Sequence, residues 1–325
     1  MTQNLPLQSL QKLMILIPAY NEQEVLPESL PILQKIIQEL IDSQQIAPDS
    51  GFMIVSDGSS DQTWPLIEQA HEADPRVMGL KFSRNFGHQN ALIAGLTVIS
   101  QQKLADFVIS IDADLQDDPQ AIKQMVEQYR AGSEIVFGVR NNRDSDSWFK
   151  RVTAETFYSL LGKMGVHLIP EHADFRLLGP KAITAFLQYQ EENMFIRGII
   201  PLLGFESSRV YYARRKRLAG KSKYPLLKML SFAWDGITSF SIAPLRLVLS
   251  LGVIFALFGL VMLVYTLIVK LRGATEAGWS SLMISIWIVG GFQMMAVGLT
   301  GEYIGKIFSE VKHRPRFTIE KKLLK

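Results

Sequence analysis

Phe107-Val108-Ile109-Ser110-Ile111-Asp112-Ala113-Asp114-Leu115-Gln116-Asp117-Asp118-Pro119 is the stretch on which the fold turns. Residues 107–111 form a short apolar run without a polar face, which suits a strand covered on both sides. Asp112 and Asp114 stand two apart at its end, so their side chains project the same way. Pro119 is preset for the first turn of a helix.

The same unit recurs on either side. Runs at 13–17, 52–56, 77–81 and 135–139 also read as strands, and 24–43, 62–72, 89–100 and 119–130 read as helices. Strands alternating with helices predict an α/β domain with a parallel sheet covered on both faces. Ligands of such sheets bind beyond the carboxyl ends of the strands, so polar motifs belong there. They fall there: Pro18-Ala19-Tyr20-Asn21-Glu22, Asp57-Gly58-Ser59-Ser60-Asp61, Arg84-Asn85-Phe86-Gly87 and Asp112-Ala113-Asp114 each follow a strand. A helix cap accounts for Ser60 or Asp61 alone, and a turn for Asp57-Gly58 alone. Four such clusters on one rim exceed what caps and turns require.

Asp112 and Asp114, with Gln116 continuing the spacing, offer oxygen ligands for a hard cation, Mg²⁺ or Mn²⁺, whose shell a substrate phosphate would complete. The bland alternative, a solvated acidic loop before the helix start, fits Asp117 and Asp118 better than Asp112. No Gly-X-Gly-X-X-Gly, Walker or nucleophile-elbow motif is present. The absence of cysteine excludes disulfides and thiolate chemistry. His71, His88, His167, His172 and His313 show no metal-ligand spacing and read as ordinary residues.

Composition changes along the chain. Residues 1–224 read as the soluble domain, whereas 247–269 and 282–304 each approach the roughly 20 apolar residues of a bilayer-spanning helix. With a short link between them they predict a hairpin over 242–305. Lys221, Lys223, Lys228 and Arg246 precede it; Lys306, Lys312, Arg314, Arg316, Lys321, Lys322 and Lys325 follow; the link holds only Lys270 and Arg272. The positive-inside rule puts the first domain and the basic tail, 306–325, in the cytoplasm of a multi-pass membrane protein. Residues 225–241 mix Leu226, Leu227, Met229, Leu230, Phe232 and Trp234 with Lys228 and Asp235, which reads as an interfacial amphipathic helix. The net charge is a modest +3 with basic residues beside the membrane segments, so anionic lipid headgroups are expected partners and nucleic acid is not. Gly290, Gly291 and Gly298 suit close helix contact and self-association. Arg140, Arg143, Lys150 and Arg151 read either as a solvated charged loop or as an anion-capturing group.

Further motifs complete the pattern: Asp174-Phe175-Arg176-Leu177-Leu178, Arg197-Gly198, Arg214 and Arg217 leading into Ala219-Gly220-Lys221-Ser222-Lys223-Tyr224-Pro225, Asp235-Gly236-Ile237-Thr238-Ser239-Phe240-Ser241, and Gly301-Glu302-Tyr303-Ile304-Gly305. With the rim motifs they make the chain resemble the polyprenyl-phosphate glycosyltransferases of the GT-A class (glycosyltransferase family two). That group includes dolichyl-phosphate mannose synthases and bacterial bactoprenol glucosyltransferases. The hairpin and the approach to it are most similar to the bactoprenol enzymes. Residues 199–204 lack an aromatic expected near Leu203, and His88-Gln89 replaces a frequently charged pair.

The resemblance implies a GT-A (Rossmann-like), mostly parallel α/β sheet domain and an inverting transfer of a hexose from a nucleotide-sugar, UDP-glucose before GDP-mannose or UDP-N-acetylglucosamine, to polyprenyl (undecaprenyl) phosphate at a bacterial-type plasma membrane. Pro18, Ala19, Tyr20, Glu22, Asp57, Gly58, Ser59, Asn85, Asp112, Asp114 and Lys223 would bind the nucleotide-sugar, with Asp57 accepting from the base and Glu22 from ribose hydroxyls. Asp112, Asp114 and Gln116 would hold Mg²⁺ or Mn²⁺ at the diphosphate. Arg140, Arg151 and Arg217 would meet the lipid phosphate through the guanidinium fork. Asp114, Asp174, Arg176 and Arg217 would form the catalytic set, with Asp174 orienting Arg176 or the sugar, or serving as base. The competing readings are a non-catalytic nucleotide-binding membrane sensor or scaffold, and a processive polysaccharide synthase. The synthase would need a membrane channel and a Gln-X-X-Arg-Trp motif that the sequence lacks.

Overall fold

A computed structural model describes residues 10–141, 172–192, 194–213, 243–271 and 278–324. Its sheet contains β1 (Leu13–Ala19), β2 (Gly51–Ser56), β3 (Val77–Phe82), β4 (Phe107–Ser110), β5 (Ile135–Arg140), β6 (His172–Leu178), β7 (Ser207–Tyr212) and β8 (Ile319–Leu323). The helices are α1 (Leu26–Asp42), α2 (Thr63–Ala73), α3 (His88–Gln101), α4 (Ala121–Arg130), α5 (Pro180–Phe186), α6 (Ile196–Leu202), α7 (Ala243–Leu271) and α8 (Trp279–Val311). The five expected strands and four expected helices of the first domain all form, with ends shifted by a residue or two.

The eight strands lie in the order β7-β5-β6-β4-β1-β2-β3-β8. β1 pairs in parallel with β2 and with β4, and β2 with β3. β1 is buried along its whole length, as an interior parallel strand between covered faces must be. Pro18 is tolerated there because pairing with β4 ends at Leu16↔Ser110, so its missing N–H falls beyond the last rung on that side. α1 buries Leu26, Leu30, Leu33, Ile36, Ile37 and Leu40, a helical stripe that faces the sheet core. Strand order reverses between β1 and β4, which opens a crevice beyond their carboxyl ends.

Three strands escape the sequence reading. β6 runs antiparallel between β4 and β5, β7 extends the sheet in parallel with β5, and β8 pairs antiparallel with β3 at the far edge. Because β6 is antiparallel, its beginning lies at the rim where β4 and β5 end. The rung Ser110↔Arg176 places Asp174 level with Asp112.

The chain falls into two units. The first holds the sheet, α1–α6 and, from the far end of the sequence, β8; the second holds α7 and α8. The expected tail is thus divided: α8 continues through Val311, and Ile319–Leu323 join the sheet. At about 1.5 Å per residue, the 29 residues of α7 and the 33 of α8 exceed a hydrocarbon core of roughly 30 Å. Within α7, Pro244–Met262 is long and apolar enough to cross a membrane, and none of it is buried. The two helices touch through the rings of Phe255 and Phe292, 4.7 Å apart. Among the described residues, a Cβ added to Gly290, Gly291 or Gly298 would meet nothing within 4 Å. Arg143, Lys150, Arg151, Arg217, Lys223, Arg272 and the expected interfacial helix at 225–241 lie outside the described residues.

Candidate active site

The rim beyond β1 and β2 is laced together by side-chain-to-backbone hydrogen bonds. Asn21, at a positive φ of 54°, accepts from Ser60 N–H at 2.9 Å and donates its own N–H to Ser59 Oγ at 3.1 Å. Glu22 N–H donates to Thr63 Oγ1 at 2.8 Å, and Gln23 N–H to Asp61 Oδ2 at 3.2 Å. Ser59 is therefore part of the lacing. Pro18 and Ala19 are buried, Glu22 is half-buried, and Tyr20 exposes 44% of its surface.

Asp57 ties this pair of loops to the next one. Its buried carboxylate accepts from Phe86 N–H at 2.6 Å through Oδ1 and from Gly87 N–H at 2.9 Å through Oδ2. Burial raises its pKa, and those two hydrogen bonds oppose the rise. Gly58 is required beside it. At φ +63° an added Cβ would lie 2.2 Å from the carbonyl carbon of Arg84 and 2.3 Å from the nitrogen of Asn85. Asn85 is exposed on that loop.

Beyond β4, residues 112, 114 and 116 are half-exposed, whereas 113, 115 and 117 are buried. Asp112, Asp114 and Gln116 therefore share the open side, as their spacing predicts. Leu115 turns the chain at φ 45°, and Gln116 N–H donates to Asp114 Oδ1 at 3.2 Å. Burial and the neighbouring carboxylates of Asp174, Asp117 and Asp114 raise the pKa of Asp112, against the lowering effect of His88. Among the described residues no group of three His, Asp or Glu side chains gathers in ligand geometry. The donor set that Asp112, Asp114 and Gln116 present is two carboxylates and an amide. That fits a hard divalent cation whose remaining positions are taken by substrate phosphate and water, the habit of Mg²⁺.

Asp174 is the most heavily held carboxylate of the site. Arg176 Nη2 donates to its Oδ1, and Arg197 donates through Nε to Oδ1 at 3.2 Å and through Nη2 to Oδ2 at 3.0 Å. Burial works against its charge, but His88 and the two guanidinium groups hold its pKa well below the usual carboxylate range. Arg176 is 1% exposed, so it does not reach the open side; its part in the site passes through Asp174. Burial lowers its pKa despite that partner.

His88, read from the sequence as ordinary, opens α3 directly beneath this group. Its Nε2 lies 3.6 Å from Asp112 Oδ1 and 3.5 Å from Asp174 Oδ2. Burial disfavours its charged form, yet the two carboxylates prevail and raise its pKa. The available signal was position, one residue after the Arg84–Gly87 motif. Arg197 carried a signal too, as part of a quoted motif, but nothing in the sequence joined it to Asp174.

Asp117 corrects the sequence reading. It is buried, not part of a solvated loop, and its Oδ1 accepts from Arg140 Nε and Nη2, both at 2.8 Å. Burial opposes the charge on Arg140, while Asp117 and Tyr212 raise its pKa. Burial and the charge of Asp117 also raise that of Tyr212. Arg140, proposed for a lipid phosphate, is thus anchored first by Asp117 and keeps 27% of its side chain exposed.

A strand-end rim with an Asp-X-Asp pair and a clamped third carboxylate can hold a diphosphate through a cation, and residues 14–194 match the Glycosyl transferase family 2 signature. The chain belongs to that family. Its sheet domain is a mixed, mostly parallel GT-A fold, and residues 243–307 match the GtrB C-terminal hairpin. Relatives align along almost the whole chain. The uncharacterized glycosyltransferase YkoT of Bacillus subtilis is 49% identical over 96% of this chain and 92% of its own length. The SfII prophage-derived bactoprenol glucosyl transferase of Shigella flexneri is 37% identical over 95% and 98%. Among solved structures, a mannosyltransferase of Pyrobaculum calidifontis in complex with GDP-Man and Mn²⁺ is a distant likeness, with 15% identity, a TM-score of 0.42 and coverage of 94% and 88%.

Proposed function

We propose that this family 2 transferase moves glucose from UDP-glucose to undecaprenyl phosphate at the cytoplasmic face of a membrane, inverting the anomeric configuration. The observation that carries the proposal is the joining of Asp112, Asp114, His88, Asp174 and Arg197 on one rim by β6. The match to bactoprenol glucosyl transferases over 95% of the chain supports the choice of acceptor and sugar. The exposed apolar surface of α7 supports membrane anchoring. Pairing of β8 with β3 supports a hairpin whose two ends share one compartment.

The nucleoside would lie along the laced loops. Pro18 and Ala19 would offer backbone there, and Tyr20, Glu22 and Asn85 side chains. Asp57 already uses one lone pair of each oxygen on the Phe86–Gly87 backbone, so any contact with the base comes from what remains. Asp112, Asp114 and Gln116 would hold a divalent cation, Mg²⁺ or Mn²⁺, which supplies Lewis-acid stabilisation of the departing diphosphate. Asp174, held ionised by two guanidinium groups, is a weak proton acceptor and fits the orientation of Arg197 and of sugar hydroxyls. A strong base is unnecessary, because a phosphomonoester with a second pKa of about 6 is largely ionised near neutrality. Charge neutralisation around the phosphates then dominates the rate enhancement. Arg140, Arg151 and Arg217 are the cationic candidates for the acceptor phosphate, and Lys223 for the donor diphosphate.

The test measures release of the nucleoside diphosphate from UDP-glucose, GDP-mannose and UDP-N-acetylglucosamine, with and without undecaprenyl phosphate. Release from UDP-glucose should require the lipid, stop on chelation of the metal and be abolished in Asp114→Ala, which should still integrate into membranes. Wild-type turnover in Asp114→Ala would sink the metal assignment. A preference for another donor would correct the sugar.

A further inference from the structure

The segment that follows α8 does more than close the sheet. β8 pairs with β3 up to the residue before the Arg84–Gly87 loop: Lys81 faces Lys321, Phe82 faces Ile319, and Ser83 N–H donates to Thr318 O at 3.1 Å. The register shifts between Lys81 and Phe82, and such a bulge re-aims the side chains that follow. Here it lays the Phe317 ring flat on Phe82, with centroids 5.5 Å apart and planes 8° from parallel. Phe82 in turn meets Phe86 edge to face at 5.6 Å. Phe86 is the residue whose N–H donates to Asp57, and Arg84 lies over its ring at 3.9 Å. One residue earlier, Arg316 Nη2 donates to the carbonyl of Tyr189 at 3.2 Å. Tyr189 sits in the connection between α5 and α6, and α6 carries Arg197, which clamps Asp174.

We propose that Arg316 and Phe317 are positioning residues of the active site. Through the Phe317–Phe82–Phe86 stack the post-hairpin segment fixes the Arg84–Gly87 loop and with it the nucleotide-binding rim, and through Tyr189 it steadies the connection that leads to Arg197. An aromatic stack suits this task because packed rings prefer a few discrete geometries over continuous sliding. A rim displaced by even about an ångström loses catalytic efficiency out of proportion to the lost contact. The proposal rests on the glycosyl-transfer reading, since it concerns where the donor sits.

The test uses the full chain in detergent with undecaprenyl phosphate, comparing wild type with Phe317→Ala, Phe317→Tyr and Glu320→Gln. Glu320 pairs with Lys81 across the same two strands but lies outside the stack. The expected result is a donor KM raised about tenfold in Phe317→Ala, an unchanged KM for the lipid, return to wild-type values in Phe317→Tyr and no effect in Glu320→Gln. A wild-type donor KM in Phe317→Ala would overturn the proposal. So would a loss seen only as a smaller active fraction, or one shared by Glu320→Gln. Calorimetric titration of the same proteins with UDP separates this proposal from the transfer reading. If no donor is turned over by wild type, the transfer reading fails; weaker UDP binding in Phe317→Ala that Tyr restores still sustains the positioning role, and unchanged binding overturns it.

Discussion

Asp174 and Arg176 show how much of the site depends on single buried charges. Arg176 contributes a guanidinium whose side chain is 2% exposed to a carboxylate that is 15% exposed. Removing one partner of such a pair leaves the other charged and desolvated, so Arg176→Met should cost about 3 to 5 kcal/mol in chemical denaturation. An unchanged midpoint would show that Arg197 alone suffices. The acid side of the stability profile follows from the same group. A carboxylate whose pKa lies well below its usual 3.8 in the folded protein binds fewer protons folded than unfolded, so stability rises with pH across that interval. Its contribution is complete above the unfolded value and is lost as pH falls through the folded one. The melting temperature of wild type should therefore fall more steeply below about pH 4 than that of Asp174→Asn, and parallel curves would contradict this. At this scale the sequence showed Asp112, Asp114 and Gln116 sharing one side, because strand-end spacing dictates it. It did not show His88 between two carboxylates, or Asp117 beneath Arg140, because burial and long-range pairing are properties of the packed sheet.

Legibility at the level of elements follows hydrophobic pattern. β1 to β5 are mostly apolar, with polar residues such as Ser56, Lys81, Ser110 and Arg140 at or near their carboxyl ends, so each reads as a strand. β6 interrupts its apolar residues with Asp174 and Arg176 and so reads as a motif, yet its antiparallel entry is what delivers Asp174 to the rim. β8 is charged at Glu320, Lys321 and Lys322, as suits an exposed edge strand, and reads from sequence as a basic tail. The turn after β2 carries its own prediction. Gly58→Ala adds a Cβ at positive φ against the backbone of Arg84 and Asn85, which should destabilise the domain by about 1 to 3 kcal/mol. The same change should raise the donor KM, read by steady-state kinetics. A variant with normal KM would mean that the Arg84–Gly87 loop gives way without disturbing the nucleotide.

At the largest scale the chain joins a sheet unit to a pair of long helices, and β8, which follows the helices in sequence, belongs to the same sheet as β1. Since the chain contains no cysteine, single cysteines report sidedness without background. Gly278→Cys, ahead of α8, should be labelled by an impermeant thiol reagent from the face opposite to that which labels Lys312→Cys. Labelling of both from one face would refute the spanning hairpin. Whether this rim joins a sugar to a lipid phosphate is read from a single reaction. Purified full-length protein is incubated with radiolabelled UDP-glucose, Mg²⁺ or Mn²⁺ and undecaprenyl phosphate, and label is followed into the organic phase. Lipid-dependent label that appears with wild type and vanishes with Asp114→Ala is the predicted result. No organic-phase label from any nucleotide-sugar, with UDP still bound, would mean that the rim binds nucleotide without transferring sugar to lipid.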